Sequence, residues 1–136
     1  QLAEKNIDIH ILDHEDLPPI TADSKYIRPA FLNIIKNACE ACGQNCKIDI
    51  EITRDDRDVI VKISDNGMGI PENEINKIFQ PYFSTKDSRT GLGLTIVHKI
   101  IKEHDGSIEV QSHLNEGTSF IIRLPRLDVK TRLIES

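Results

Sequence analysis

Three short stretches of the chain alternate apolar and polar residues with period two. Ile7, Ile9 and Ile11 alternate with Asp8 and His10. Ile48, Ile50 and Ile52 form a second run, and Val59, Val61 and Ile63 a third. Successive side chains on a strand point to opposite faces, so each run predicts a strand with one buried face. The polar stretch Arg54 to Asp58 predicts a hairpin between the second and third. Two further strands follow later. Ser107 to Ser112 presents Ile108 and Val110, and Thr118 to Leu124 comes after the turn Asn115-Glu116-Gly117.

Helical spacing occurs elsewhere. From Phe31 to Cys42, FLNIIKNACEAC, apolar residues recur so that one side packs on a core. Asp23 predicts the N-cap of a helix from about Ser24 to Cys42, with Gly43 as its stop. Pro29 predicts either a bend or the start of the regular part. Gly91 opens a second helix, about Leu92 to His104, with Ile96, Val97, Ile100 and Ile101 on its apolar side, and Asp105-Gly106 ends it. Glu72 to Ile78 predicts a short helix with Pro71 at or near its first position. Gln1 to Lys5 reads as the end of a helix and His14 to Pro19 as a connector. Phe79 to Thr90, FQPYFSTKDSRT, has turn composition and no period, and a loop of that length is more often functional than idle. The tail from Pro125 shows no strong pattern.

Parallel strands covered on both faces read as continuous apolar runs, whereas these alternate. The expected fold is therefore α/β (α+β): a two-layer sandwich with a mixed, mostly antiparallel sheet and helices on one face. Length adds that the 136 residues form one domain. The chain starts at Gln1 without Met and reads as a fragment of a longer protein. With 38% hydrophobic and 29% charged residues it is globular. A net charge of -5 argues against nucleic acid or an anionic membrane as partner, while leaving room for a local basic patch. No apolar run approaches a membrane span. The odd set Cys39, Cys42 and Cys46 argues against a disulfide framework and fits a reducing compartment. Their spacing has no obvious fourth metal ligand, so they read as small core residues.

Candidate chemistry sits in three places. Asn33 and Asn37 lie four residues apart and stack on one helix face. Asn is a poor helix-interior residue, so the pair reads either as amide oxygens facing a polar ligand or as solvated amides. Asp65-Asn66-Gly67-Met68-Gly69 directly follows a strand, where a carboxylate can accept a hydrogen bond from an exocyclic amine such as that of adenine. The same residues also suit an ordinary turn. Thr90-Gly91-Leu92-Gly93-Leu94 begins a helix, whose free N–H groups suit phosphates. It is not a P-loop, since no Gly-Lys-Ser/Thr follows, nor a dinucleotide fingerprint, since Ile96 stands at the third glycine. Lys86 and Arg89 precede it, either as phosphate-facing cations or as solvated ones.

Together these stretches resemble the ATP-binding catalytic domain of sensor histidine kinases, within the gyrase, heat-shock chaperone, histidine kinase and MutL superfamily. FLNIIKNACEA resembles the N box, DNGMGI the G1 box, IFQPYF the F box, RTGLGL the G2 box, and EGTSFIIRLP the final hairpin. The resemblance implies that Asp65 binds the adenine amine, with Thr118 assisting through water, and that Gly67, Gly69 and Ile70 belong to the adenine pocket. It implies that Asn37 gives an oxygen to Mg2+, and that Asn33 and Lys86 serve catalysis near the phosphates. Phe79 and Phe83 would anchor a mobile lid, and Lys86, Gly91, Leu92, Gly93 and Leu94 would line the phosphate side. Superfamily ATP hydrolases typically carry a glutamate at the place of Asn33; Asn cannot take a proton, so ATP would be positioned without efficient hydrolysis.

The implied acceptor is a histidine on a separate dimerisation domain, absent from this fragment. His14-Glu15 with Pro18 faintly echoes an acceptor box but falls in a connector, and His10, His98, His104 and His113 read as solvated or structural. Arg89 stands where the G2 box often has glycine, which bears on the lid conformation. The implied setting is cytoplasmic two-component signalling, with a response regulator as an indirect partner and a monomeric fragment of a homodimeric parent. Alternatives are a serine-directed anti-sigma-type kinase or weak ATPase of the same fold, or a non-catalytic nucleotide- or partner-binding module.

Overall fold

The computed structural model describes residues 6–12, 17–20, 22–42, 45–80 and 90–127. In chain order the elements are β1 (Asn6–Leu12), α1 (Ser24–Ala41), β2 (Asn45–Arg54), β3 (Asp58–Asp65), a short 3-10 helix (Glu72–Lys77), α2 (Thr90–Glu103), β4 (Ser107–His113) and β5 (Gly117–Pro125). The strands form one sheet in the order β1-β2-β3-β5-β4. β1 runs parallel to β2, and every other pairing is antiparallel. The sequence readings of Gln1 to Lys5, of His14 and Glu15 in the connector, and of Gly43 as a helix stop lie outside the described residues.

α1 begins where expected. The Asp23 carboxyl accepts from the Lys25 N–H at 3.1 Å, and the Asp23 carbonyl accepts from Tyr26 and Ile27. Such a cap satisfies donors that the first turn leaves without helical partners. Ile27, Ala30, Ile34 and Ala38 form its buried stripe. Pro29 neither breaks nor delays the helix. Its absent N–H would have paired with the Lys25 carbonyl, and both residues are exposed, so the bond is lost on the solvent side of the helix. α2 buries Leu94, Val97, Ile100 and Ile101. Ile96, expected on the same side, is 48% exposed, because it lies roughly 100° around the helix from that stripe. Asp105, in a left-handed conformation, and the Gly106 N–H bonded to the Ile101 carbonyl close the helix.

The helices pack together and over β2, β3 and β4. Between helices and sheet lie Ile34, Ile48, Ile63, Val97, Ile101 and Ile122, the largest fully buried side chains. β2, β3 and β5 show the expected inward alternation. The β2–β3 turn is fixed by the Asp55 carboxyl, which accepts from the Arg57 and Asp58 N–H groups.

Two expectations are corrected. β1 is not buried on one face: Ile7, Ile9 and Ile11 are 44%, 45% and 62% exposed. They stand in register with Cys46, Ile48 and Ile50, but the helical layer covers the strands further in. Nor are all three cysteines plain thiols. Cys42 and Cys46 form a disulfide, with Cα atoms 5.2 Å apart. α1 ends and β2 begins within a few residues of each other, which brings the two side chains into one gap. Both are buried, as core residues should be, and Cys39 packs partly buried against the same core. Among the described residues no helix is long and apolar enough to cross a membrane.

Candidate nucleotide site

Asp65 ends β3, in register with Ile48 on β2 and Thr118 on β5. Its carboxyl is therefore held between two neighbouring strands, half-buried. Burial raises its pKa above the ordinary carboxylate value, and the Gly67 and Thr118 backbone N–H groups draw it partly back. The Gly67 N–H reaches Oδ1 at 2.8 Å, which folds the chain back immediately after the strand.

The turn that follows is fastened on both sides. The Met68 N–H donates to the Ala41 carbonyl at 3.2 Å, at the end of α1. A Cβ on Gly67 would stand 2.7 Å from that carbonyl oxygen, so a side chain there would push helix and turn apart. On the other side, the Met68 carbonyl accepts from the Asn115 N–H at 2.7 Å, in the β4–β5 hairpin. Asn66 points elsewhere: its Oδ1 accepts from the Lys47 N–H at 2.8 Å and secures the start of β2. Ala41 lies one turn beyond Asn37 and two beyond Asn33 on the same helix face. That face thus leads directly to Gly67 and Met68. Both asparagines are half-buried, and neither side-chain amide bonds another described residue.

The sequence reading missed Ser112. With Thr118 it is one of the two buried polar side chains among the described residues. Ser112 Oγ accepts from the Ile70 N–H at 2.7 Å, donates to the Gly117 carbonyl at 3.0 Å, and lies 2.8 Å from Thr118 Oγ1. With its proton on Gly117, Ser112 receives the Thr118 proton, and the whole set is satisfied. The Thr118 hydroxyl thus serves Ser112, while its N–H faces Asp65. A signal existed in the sequence: Ser112 shares the parity of Ile108 and Val110, a polar residue on the buried face of a strand.

Phe79 is placed firmly. Its ring lies 5.3 Å from that of His98 and meets Phe120 edge-on at 6.4 Å, and its carbonyl accepts from Thr95 Oγ1 at 2.9 Å. Ile70 packs partly buried against the core. Gly91, Leu92 and Gly93 fall in the opening turns of α2. Leu94 is a core residue, so its side chain packs inward. Phe83, Lys86 and Arg89 lie outside the described residues. Of the histidines, His104 is structural: its Nε2 accepts from the Asp23 N–H at 3.1 Å and its Nδ1 donates to the Ile100 carbonyl at 2.8 Å, tying the start of α1 to the end of α2.

The arrangement offers a half-buried carboxyl acceptor, glycine-containing backbone beside it, and, one helical layer away, amide oxygens without a partner among the described residues. An amino-purine suits the first, its flat ring the second, and a hard cation the third.

Comparison with known proteins identifies the family. Residues 22–128 match the family described as histidine kinase-, DNA gyrase B- and HSP90-like ATPase. Sporulation kinase A of Bacillus subtilis is 42% identical over 107 residues, 79% of this chain and 18% of that protein. Sensor histidine kinase ZraS of Escherichia coli is 36% identical over 121 residues, 89% of this chain and 26% of that protein. The chain therefore spans about a fifth to a quarter of the length of these relatives. Among solved structures, the nucleotide-free catalytic domain of histidine kinase ThkA superposes with a TM-score of 0.79 at 38% identity, covering 89% of this chain and 81% of that one. Full-length ShkA in complex with AMPPNP gives 0.81 at 27% identity, covering 91% and 26%. The chain belongs to the histidine kinase-, DNA gyrase B- and HSP90-like ATPase family, and its relatives here include proteins named as histidine kinases.

Proposed function

We propose that the chain is the catalytic domain of a longer, homodimeric cytoplasmic sensor kinase. In this reading it binds Mg-ATP between α1 and the turn after β3, and gives the γ-phosphoryl group to a histidine on the parent's dimerisation domain. A response regulator would receive the phosphoryl group afterwards. The observation that carries the reading is the half-buried Asp65 carboxyl beside the face of α1 that bears Asn33 and Asn37. Asp65 would accept from the adenine amine, and the Gly67–Ile70 backbone would lie along the ring. Phe79, packed on α2, gives the following segment a fixed base; Phe83 and Lys86 are proposed to close over the triphosphate, and Gly91 and Gly93 to bare helix N–H groups to it. Asn37 would hold Mg2+ by its amide oxygen, which suffices for an ion that keeps phosphate and water ligands. When bound, that ion neutralises charge on the phosphates. Asn33 cannot deprotonate water, so the site would hold ATP for an acceptor instead of hydrolysing it.

Mixing the domain with the parent's acceptor domain and labelled ATP should give an acid-labile phosphohistidine, with negligible phosphate release when the acceptor is omitted. An acid-stable phosphoserine on a partner would identify a serine-directed kinase, and rapid release without acceptor an ATPase. Asn37→Ala should abolish the magnesium-dependent part of ATP affinity, about tenfold in Kd. A magnesium titration identical to wild type would remove Asn37 from the metal site.

A further inference from the structure

The Cys42–Cys46 pair has no part in nucleotide chemistry, yet it abuts the residues that do. Cys42 caps α1 in an extended conformation, with φ -86° and ψ 156°, and Cys46 is the second residue of β2. They are 9% and 2% exposed, and their Cα separation of 5.2 Å suits a disulfide without backbone movement. The same sulfurs also have partners that only thiols can use. Cys42 Sγ lies 3.6 Å from Asn66 Oδ1, and Cys46 Sγ lies 4.0 Å from the Ala38 carbonyl. A disulfide sulfur carries no proton and cannot donate to either. Asn66 Oδ1 is also the acceptor for the Lys47 N–H. The residue before Cys42 is Ala41, whose carbonyl holds the Met68 N–H. The two sulfurs therefore sit beside Asn66 and beside the Met68–Ala41 bond that fastens the turn after Asp65 to the end of α1.

We propose that Cys42 and Cys46 are a reversible thiol–disulfide site, exchanging with low-molecular-weight disulfides, whose state sets the rigidity of the Asn66–Met68 backbone. In the forward step the Cys42 thiolate attacks one sulfur of the small disulfide and expels one small thiol. The Cys46 thiolate then attacks the Cys42 sulfur of the mixed disulfide and expels the second. Two protein S–H groups and one small S–S bond become one protein S–S bond and two small S–H groups; a small dithiol reverses the step. Cys42 is the entry point because it is the more exposed of the two. In a reducing compartment a disulfide is transient and regulatory, not a permanent brace. The oxidised form ties α1 to β2 and holds Ala41 against Gly67. The reduced form frees that end.

The effect on the turn stands by itself; a consequent effect on nucleotide affinity rests on the function proposed above. The test equilibrates the chain in mixtures of oxidised and reduced dithiothreitol, traps thiols by alkylation, and maps the peptides. A Cys42–Cys46 bond should form as the mixture becomes oxidising. In the oxidised chain, the Gly67 and Met68 amides should exchange hydrogen about tenfold more slowly than in the reduced chain. Mg-ADP should bind about threefold more tightly to it. Cysteines 42 and 46 alkylated across the whole range would overturn the proposal, as would a bond that leaves exchange at 66–68 unchanged. A difference persisting in the Cys42→Ala/Cys46→Ala chain would also overturn it; if that chain fails to fold, the wild-type comparison still decides. A difference in exchange with no nucleotide binding in either form would sustain this site and reject the nucleotide reading.

Discussion

Replacing Asp65 with Asn should lower affinity for Mg-ATP by roughly ten- to a hundredfold, the weight of one charge-assisted hydrogen bond. Calorimetry measures this directly. An ionised carboxylate only accepts, which is what an exocyclic amine requires; an amide can turn its NH2 group toward the same amine. The unliganded domain should respond differently. Burial raises the Asp65 pKa, so the folded state favours the protonated carboxyl more than the unfolded chain does. Its contribution to stability is therefore fully present below the unfolded pKa and is lost as pH rises through the folded value. At neutral pH the ionised group weighs against the fold, and the neutral Asn variant should melt at the same temperature or higher. Nucleotide affinity has the opposite dependence: it should fall as pH drops through the raised Asp65 pKa, because protonation removes the acceptor. Unchanged affinity in the variant would remove Asp65 from the adenine site.

Gly117→Ala should be the most damaging small substitution for the fold. Gly117 has φ 107°, where a side chain is strained. A Cβ there would run into the Asp65 carbonyl oxygen, which is backbone and cannot swing aside. The strain and the collision together should cost roughly 2–4 kcal/mol, lowering Tm by about 10 °C. The variant should also lose nucleotide affinity, since β5 must shift and take the Thr118 N–H away from Asp65. A melting temperature within a degree or two of wild type would show that the hairpin does not approach β3 so closely.

Periodicity located the strands and helices because burial imposes it directly. Alternation in β2, β3 and β5 and the stripe on α1 translate residue by residue into inward-facing side chains. The same pattern misled at β1. Alternation says which side chains share a face, not whether anything covers that face, and coverage depends on how far the helices extend. The disulfide was invisible for a related reason: the spacing of Cys42 and Cys46 does not reveal the chain reversal between helix and strand. Asp65 and Asn37 stand out as candidates because their residue types sit oddly in their elements: a carboxylate at a strand end, an amide on an apolar helix. Ser112 was equally odd by parity but belonged to no recognised box. Leu94 belongs both to the glycine motif and to the α2 stripe, and its side chain packs inward. His104 bridges two helices whose ends meet only through tertiary packing.

The exposed isoleucines of β1 have a mechanical meaning. Main-chain hydrogen bonds zip this strand to β2, while its side chains bury little against the body. Detaching it would sacrifice ladder bonds yet open no hole in the interior and disturb neither Asp65 nor α1. A pull applied ahead of Asn6 would thus unfasten the outermost strand first, like a tear-off margin, and leave the turn after β3 whole behind it.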